Sequence, residues 1–173
     1  VLDSAVINPI DGSGPLIHIV TPVESAHYSG AVRVAADVED QWSDVNTVSA
    51  LIENLVQLQL PLDPIIGQYQ RWMEDLPEGN HTIKVTATDE YQNFSEAQTS
   101  FTIDNTVPEI SISGVVDSGL YATAQQSIID VTDLHLNTSQ ITLNGQAYTS
   151  GTIIINEGSY QLQVYASDFA GNT

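Results

Sequence analysis

The stretch Glu78-Gly-Asn-His-Thr-Ile-Lys-Val-Thr-Ala-Thr-Asp89 decides the fold, because the chain repeats it. It returns as Glu157-Gly-Ser-Tyr-Gln-Leu-Gln-Val-Tyr-Ala-Ser-Asp168, 79 residues later. In both copies apolar and polar residues alternate, so that Ile83 and Val85 share one face. Successive side chains of a β-strand point to opposite faces of its sheet, whereas a helix would need a period near 3.6. Both copies therefore predict a half-buried strand that follows a Glu-Gly turn.

Matches on either side of this strand extend the repeat over most of the chain. Pro15-Leu-Ile-His-Ile19 returns as Pro108-Glu-Ile-Ser-Ile112, and Asp37-Val-Glu-Asp40 returns as Asp130-Val-Thr-Asp133, both 93 residues later. The two offsets, 93 and 79, differ by 14, so the first copy holds 14 extra residues in its central segment. Self-similarity at a fixed offset is typical of repeat architectures. Many short strands, with a strong hairpin turn at Asn144-Gly145, predict an all-β sandwich or barrel.

The repeats predict two domains joined by a short linker. Asn105-Thr-Val107 is too short to be a flexible tether, so we expect a stiff junction. The second copy reaches Thr173 just where its final strand should begin, so we expect that copy to lack its last strand. The predicted bounds are 1–14 for a linker or the tail of a preceding repeat, 15–104 for domain 1 with its longer central segment, 105–107 for the linker and 108–173 for domain 2.

The charge of the chain excludes two classes of partner. Asp and Glu total 22 against 3 Lys and Arg, which gives a formal net charge of -19. Nucleic-acid binding needs clustered cations, and an anionic lipid surface repels such a protein for the same reason. The chain has no cysteine, so neither disulfides nor thiolate metal sites are available. No apolar run reaches the roughly 18 residues of a membrane span. We expect no nucleic acid and no membrane insertion in this fragment.

Three further segments carry a resemblance to a known family. They are Phe101-Thr-Ile-Asp-Asn-Thr-Val-Pro108, Leu143-Asn-Gly-Gln-Ala-Tyr-Thr-Ser-Gly-Thr152 and Ala166-Ser-Asp-Phe-Ala-Gly-Asn-Thr173. They resemble the bacterial immunoglobulin-like (Big-type) repeats of surface adhesins and multidomain secreted proteins. The resemblance implies two tandem immunoglobulin-like β-sandwiches, the second without its last strand. It also implies a bacterial protein that is extracellular or at the cell surface.

Acidic residues follow the strands whose ends such a sandwich brings together at one pole. Several converging carboxylates repel one another unless a cation or protons neutralise them, and calcium takes six to eight oxygens from flexible loops. Asp11 or Asp3 could complete the set in the first copy. The alternative is that these residues only form turns with their own backbone. The predicted calcium ligands are Asp37, Asp40, Asp89 and Asn93 in the first copy, and Asp104, Asn105, Asp130, Asp133, Asp168 and Asn172 at the junction.

Aromatic residues suggest a second kind of site. Trp42 lies in an acidic loop, and the extra segment from Leu55 to Trp72 includes Tyr69. Aromatic side chains beside polar groups can stack on sugars or anchor a protein partner. The same segment also alternates like two ordinary half-buried strands, which leaves a core role open. Trp42, Tyr69 and Trp72 are therefore candidate ligand-binding residues.

The sequence favours a structural role over catalysis. The four histidines are scattered, and no nucleophile elbow or zinc-protease motif is present. We predict no enzyme, but acidic structural or stalk repeats that calcium rigidifies and that contribute to adhesion, with neighbouring repeats of the same polypeptide as partners. The alternative is an accessory module of a larger secreted enzyme or adhesin that binds a carbohydrate or a surface protein.

Overall fold

A computed structural model describes residues 10–52 and 57–173 of the chain. Its internal contacts divide the chain after Asp104 into two compact units, called unit 1 and unit 2 below. Every regular element in the described residues is a β-strand, as the alternating pattern predicts. Within those same ranges, no helix is long and apolar enough to cross a membrane. The finer domain bounds stay predictions, and residues 1–9 of the predicted linker lie outside the described residues.

Unit 1 is a sandwich of two sheets. The first sheet has the strand order β1-β3-β7-β6 and the second has the order β2-β9-β8-β4-β5. Neighbouring strands are antiparallel, with the exception of β2, which runs parallel to β9. The strands are β1 (Leu16–Thr21), β2 (Ala26–Tyr28), β3 (Val32–Glu39), β4 (Val45–Ile52), β5 (Gln57–Gln59), β6 (Leu62–Asp63), β7 (Gln68–Met73), β8 (Gly79–Asp89) and β9 (Phe94–Ile103).

The core of unit 1 lies between these two sheets. Alternate residues of β3 and β8, including Val34 and Ile83, are fully buried, as the period of two requires. Phe101 on β9 is buried at the centre, where the ring of Tyr28 meets it edge-on and His81 lies tilted against it. Burying one such side chain contributes about 1.5 to 3 kcal/mol. The repeated strand of unit 1, β8, therefore lies in the middle of its sheet and contributes its apolar face to the core.

Unit 2 uses shorter strands in smaller sheets. β10 pairs with β12, β11 pairs with β15, and β13 lies between β14 and β16, all antiparallel. The predicted hairpin turn, with both residues at positive φ, joins β13 to β14. The strands are β10 (Glu109–Ser113), β11 (Gln125–Gln126), β12 (Ile128–Thr132), β13 (Leu136–Leu143), β14 (Gln146–Ala147), β15 (Ile153–Ile154) and β16 (Leu162–Asp168).

The repeated strand has different neighbours in the two units. In unit 1, β8 lies between β4 and β9. In unit 2, its counterpart β16 pairs with β13, and no second strand of the described residues of unit 2 pairs with it. Ile110 and Ile112 on β10 are 40% and 46% exposed, whereas their counterparts Ile17 and Ile19 pack against the core of unit 1. Unit 2 therefore buries less of its apolar surface than unit 1.

The extra central segment of unit 1 is divided between core and surface. Leu60 and Met73 are buried, and Tyr69 packs against the core. Trp72, next to Met73 on β7, is exposed. Leu55 lies outside the described residues. The segment therefore supplies ordinary strands of the sandwich, and only part of it faces solvent.

Both units contain a tyrosine corner that the sequence analysis did not find. In unit 1 the Tyr28 hydroxyl accepts a hydrogen bond from the N–H of Val23 at 2.8 Å, and in unit 2 Tyr121 accepts from Val116 at 2.7 Å. The two corners are 93 residues apart, like the matches found in the sequence. Between each pair, a serine adopts a left-handed conformation, with φ of 61° and 56°. The repeat therefore extends to the backbone of this turn.

Candidate metal centre

The loop after β3 is organised by Asp40. Its Oδ1 accepts hydrogen bonds from the N–H groups of Trp42 and Ser43, at 2.9 Å and 3.1 Å, and from the Ser43 hydroxyl at 3.3 Å. Aspartate often caps the backbone two or three residues ahead in this way. These bonds fix the carboxylate of Asp40 at the end of β3.

Asp89 ends β8 and is fully buried. Its Oδ1 accepts from the N–H groups of Tyr91 and Asn93 at 2.8 Å and 2.9 Å, and its Oδ2 accepts from the side-chain amide of Asn93 at 2.8 Å. The N–H of Asp89 in turn donates to the carbonyl of Asn93 at 3.0 Å. A buried carboxylate is tolerated only when such donors replace the lost water. Asn93 therefore holds Asp89 in place from both ends of the turn.

Asp11 reaches the same pole from the chain that enters unit 1. Its Oδ1 accepts from the N–H and the hydroxyl of Ser13 at 3.2 Å and 3.4 Å. Its Oδ2 is buried and has no hydrogen-bond partner among the residues that the structure describes. The entering chain is closely packed, because a Cβ at Gly14 would lie 2.5 Å from the backbone carbon of Phe94. Asp11 therefore stands three residues from a tightly packed point of the chain.

Asp11, Asp40 and Asp89 form a cluster of carboxylates. Each offers an oxygen that lies within 4.8 Å of the oxygens of the other two. At that distance two unit charges repel by about 1 kcal/mol in water, and by about 3.5 kcal/mol at an effective dielectric constant near 20. A divalent cation would turn this repulsion into attraction, and carboxylate oxygens from loops are the ligands that calcium prefers. The residues present therefore fit a calcium ion.

The other predicted ligands of the first copy play different parts. Asp37 faces outward on β3, and its carboxylate lies 3.7 Å from Nδ1 of His18 on β1. It does not belong to the cluster of three. Asn93 acts through Asp89, as described above. Asp3 lies outside the described residues.

Unit 2 repeats the capped turn at the end of its last described strand. Asp168 is 1% exposed, and it accepts from the N–H of Asn172 at 2.9 Å and from the Asn172 side chain at 2.6 Å. Burial raises the pKa of Asp168, but these bonds, together with backbone bonds from Gly171 and Ala170, outweigh it and hold the pKa below its ordinary value. The turn residue Gly171 has φ of 89°, where the first copy has Gln92 at 70°.

The remaining predicted ligands of the second set are placed as follows. Asp133 accepts from the N–H of His135 at 2.7 Å, and one of its oxygens lies within 4.8 Å of one from Asp168. Asp130 is exposed on β12, opposite Ser111. In unit 1, Asp104 is buried and its N–H donates to the carbonyl of Tyr28 at 2.9 Å. Asn105, the first residue of unit 2, is exposed. The predicted junction site stays a prediction.

The candidate ligand-binding aromatics lie in three different environments. Trp42 is 53% exposed in the loop that Asp40 caps, and Trp72 is 61% exposed on β7. Tyr69 packs against the core, and burial, helped by the charge of Asp44, raises its pKa. Of the three, Trp42 and Trp72 present an aromatic ring to solvent.

A family model and a solved structure agree with this fold. Residues 67–151 match the model of the bacterial Ig-like domain family (group 3). Among solved structures, the chain is similar to fibronectin(III)-like modules of CbhA from Clostridium thermocellum, with a TM-score of 0.53 and 15% identity over 91% of this chain and 88% of that one. An endo-beta-1,4-mannanase from Thermotoga petrophila has a TM-score of 0.47 and 17% identity over 56% of this chain and 21% of that one.

None of the curated proteins matches the chain in sequence. The family match nevertheless covers two of the segments on which the resemblance rested, Phe101 to Pro108 completely and the segment that begins with Leu143 up to its last residue but one. The likeness to the CbhA modules, at such low identity, concerns the fold alone. The resemblance drawn from the sequence is thus confirmed: residues 67–151 are similar to a bacterial Ig-like domain, and the chain has an all-β fold of the immunoglobulin and fibronectin III type.

Proposed function

We propose that the chain forms non-catalytic structural repeats of a bacterial cell-surface or secreted protein, and that calcium rigidifies them. The observation that carries this proposal is that the two units form equivalent hydrogen bonds in the same turns. The tyrosine corner ending at Tyr28 or Tyr121, and the capped turn at Asp89 or Asp168, recur at the offsets of the sequence repeat. Such contacts fix the course of the backbone, which is what a spacer requires.

The family supports the same role. Bacterial Ig-like and fibronectin III-like domains are typically non-catalytic accessory modules of larger proteins. Because a fold does not determine function, this is support by analogy. The proposal places the chain outside the cell or at its surface, next to other repeats of the same polypeptide, where it would hold other modules at a distance and contribute to adhesion.

Calcium is proposed on the geometry of Asp11, Asp40 and Asp89. Each carboxylate uses Oδ1 to cap its own turn, and in Asp11 this leaves a buried Oδ2 that faces no donor in the described residues. A bound cation would supply the missing partner. When bound, the ion would cross-link the entering chain to the ends of β3 and β8.

The proposal extends to the second set of acidic residues on sequence grounds. Asp104 follows Asp11 by 93 residues, as Asp133 follows Asp40. On these sequence grounds we also propose the second set of predicted ligands as calcium-binding residues, namely Asp104, Asn105, Asp130, Asp133, Asp168 and Asn172.

Thermal melts in calcium chloride and in a chelator test the proposal. Trp42 and Trp72 both lie in unit 1, so tryptophan fluorescence follows that unit. An ion at one hundred times its dissociation constant stabilises the folded state by about 2.7 kcal/mol, which raises the melting temperature of such a domain by roughly 10 to 20 °C.

Asp11→Asn should abolish most of this shift, because the amide keeps an oxygen for Ser13 but loses the charge. Asp63→Asn is the matched control, since Asp63 caps a turn between β6 and β7 without joining the cluster. Equal melting temperatures of the native chain in calcium and in chelator would mean that the aspartates are turn formers only.

Turnover of a polysaccharide or peptide by the purified chain would contradict the non-catalytic role.

A further inference from the structure

On the outer face of the neighbouring strands β3 and β7, one exposed aromatic side chain lies among polar side chains. Val34 and Met73 point inward, so the alternation of the strands turns Arg33 of β3, and Gln68, Gln70 and Trp72 of β7, away from the core. Arg33 and Trp72 are direct partners in the antiparallel register. This set of outward side chains, together with Asp63, is called the Trp72 face below.

Trp72 itself does not belong to the core of unit 1. Its side chain is 61% exposed although it lies within a regular strand. Tryptophan carries a large apolar surface, and leaving most of it in water forgoes a stabilisation of the kind that Phe101 supplies in the core.

The polar neighbours of Trp72 are held in fixed positions. The Nη1 group of Arg33 donates to Oε1 of Gln70 at 3.1 Å, and Nε2 of Gln70 donates to Oδ2 of Asp63 at 2.7 Å. Oδ1 of Asp63 accepts from the N–H of Ile65 at 2.9 Å. The bond from Ile65 lowers the pKa of Asp63, burial opposes it, and the bond from Gln70 lowers it further. The row therefore offers preoriented donors and acceptors beside an aromatic plane.

We propose that the Trp72 face binds a neutral polysaccharide, a function beyond the structural role. A pyranose ring has a face of C–H bonds and a rim of hydroxyl groups. The C–H face suits the negative face of the Trp72 ring. The remaining N–H groups of Arg33 and the amide of Gln70 can hydrogen-bond the hydroxyl rim. The outward surface of two neighbouring strands suits an extended chain of sugars.

The surroundings of Trp72 favour a neutral sugar over other partners. Protein interfaces bury about 800 Å² on each side and have an apolar core depleted of charge, whereas the neighbours here are Arg33, Gln70 and Asp63. An anionic polymer would meet one Arg on this face against Asp63 and Asp37, on a chain of net charge -19. Both of those partners are therefore disfavoured.

The test is native gel electrophoresis of the whole chain in gels that contain one of four neutral polysaccharides: hydroxyethylcellulose, galactomannan, xylan or dextran. We expect at least one of them to retard the chain. Trp72→Ala should weaken that binding by at least tenfold, roughly the loss seen when an interface anchor is removed. Trp72→Tyr should retain most of the binding.

Tyr165→Ala is the matched control, because Tyr165 is also a largely exposed aromatic residue within a regular strand, but it lies on β16 of unit 2. It should leave retardation unchanged. No retardation in all four gels, or retardation that persists in Trp72→Ala, would overturn the proposal. So would binding to immobilised collagen or fibronectin that depends on Trp72, which would identify a protein partner. Because the calcium cluster lies at the other end of β3, repeating the gels with a chelator separates the two proposals.

Discussion

Replacing Asp89 by alanine should destabilise unit 1 severely. The carboxylate is fully buried and accepts three hydrogen bonds, from the N–H of Tyr91 and from the N–H and side chain of Asn93. A hydrogen bond to a charged group contributes about 1.5 to 3 kcal/mol. The three bonds are not additive, and Tyr91 is exposed, so its N–H can regain water. We therefore expect a loss of about 3 kcal/mol in the free energy of unfolding.

For a domain of this size, 3 kcal/mol corresponds to a fall of roughly 12 to 24 °C in the melting temperature. The melt is followed by tryptophan fluorescence, which reports on unit 1 because it holds both Trp42 and Trp72. A chelator is included, so that the loss of a bound calcium ion does not add to the effect. The matched control is Asp168→Ala, which removes the equivalent cap from unit 2 and should leave the fluorescence-detected transition in place.

A fall of less than about 5 °C for Asp89→Ala would refute the reasoning, since it would put the whole cap near 1 kcal/mol. The turn after β8 would then be held by its backbone contacts alone. The N–H of Asp89 and the carbonyl of Asn93, 3.0 Å apart, would be the first of these to consider.

Two further predictions concern the corner at the start of β2. Tyr28→Phe removes the acceptor of the Val23 N–H, so the free energy of unfolding of unit 1, measured by urea titration, should fall by about 1 kcal/mol. An unchanged midpoint would show that water replaces the hydroxyl. Hydrogen bonds from the N–H of Ser100 and then the hydroxyl of Thr99 lower the pKa of Glu24 below its ordinary 4.5. The stability that Glu24 contributes should therefore be complete above about pH 5 and should fade as the pH falls below 4.5. The native chain and Glu24→Gln should thus differ less in their free energy of unfolding as the solution is acidified. A difference that grows on acidification would contradict the assignment.

Strand periodicity was sufficient to predict the fold class and the core strand. The alternation around Ile83 and Val85 depends on local geometry, and both residues are fully buried. Parity also places Tyr69 and Trp72 on opposite faces of β7, because they are three residues apart. Which of the two faces the core depends on the pairing of β7 with β3, a contact between distant segments that alternation alone does not specify.

The candidate metal centre could be predicted only in part. Asp40 and Asp89 were predicted from the repeat and from the expectation that a sandwich brings the ends of their strands together at one pole. In the structure, Asp40 directly follows β3, Asp89 is the last residue of β8, and their carboxylates lie in one cluster. Asp37 belongs to the same short motif as Asp40, but it still lies within β3, where its side chain turns outward to His18. The tyrosine corner at Tyr28 could not be predicted from hydrophobic periodicity, because its hydrogen bond joins a side-chain hydroxyl to the backbone N–H five residues earlier.

The parallel pairing of β2 with β9 determines how unit 1 would carry a mechanical load. Ala26, His27 and Tyr28 lie beside Phe101, Thr102 and Ile103 in the same direction, and two backbone hydrogen bonds extend the pair, from Ser25 to Ser100 and from Asp104 to Tyr28. A pull on the two ends of the unit draws β2 backward and β9 forward along their common axis. The backbone hydrogen bonds between β2 and β9 are then loaded simultaneously in shear, so they cannot break one at a time. A unit built in this way resists tension along its chain through this pair of strands as well as through its core.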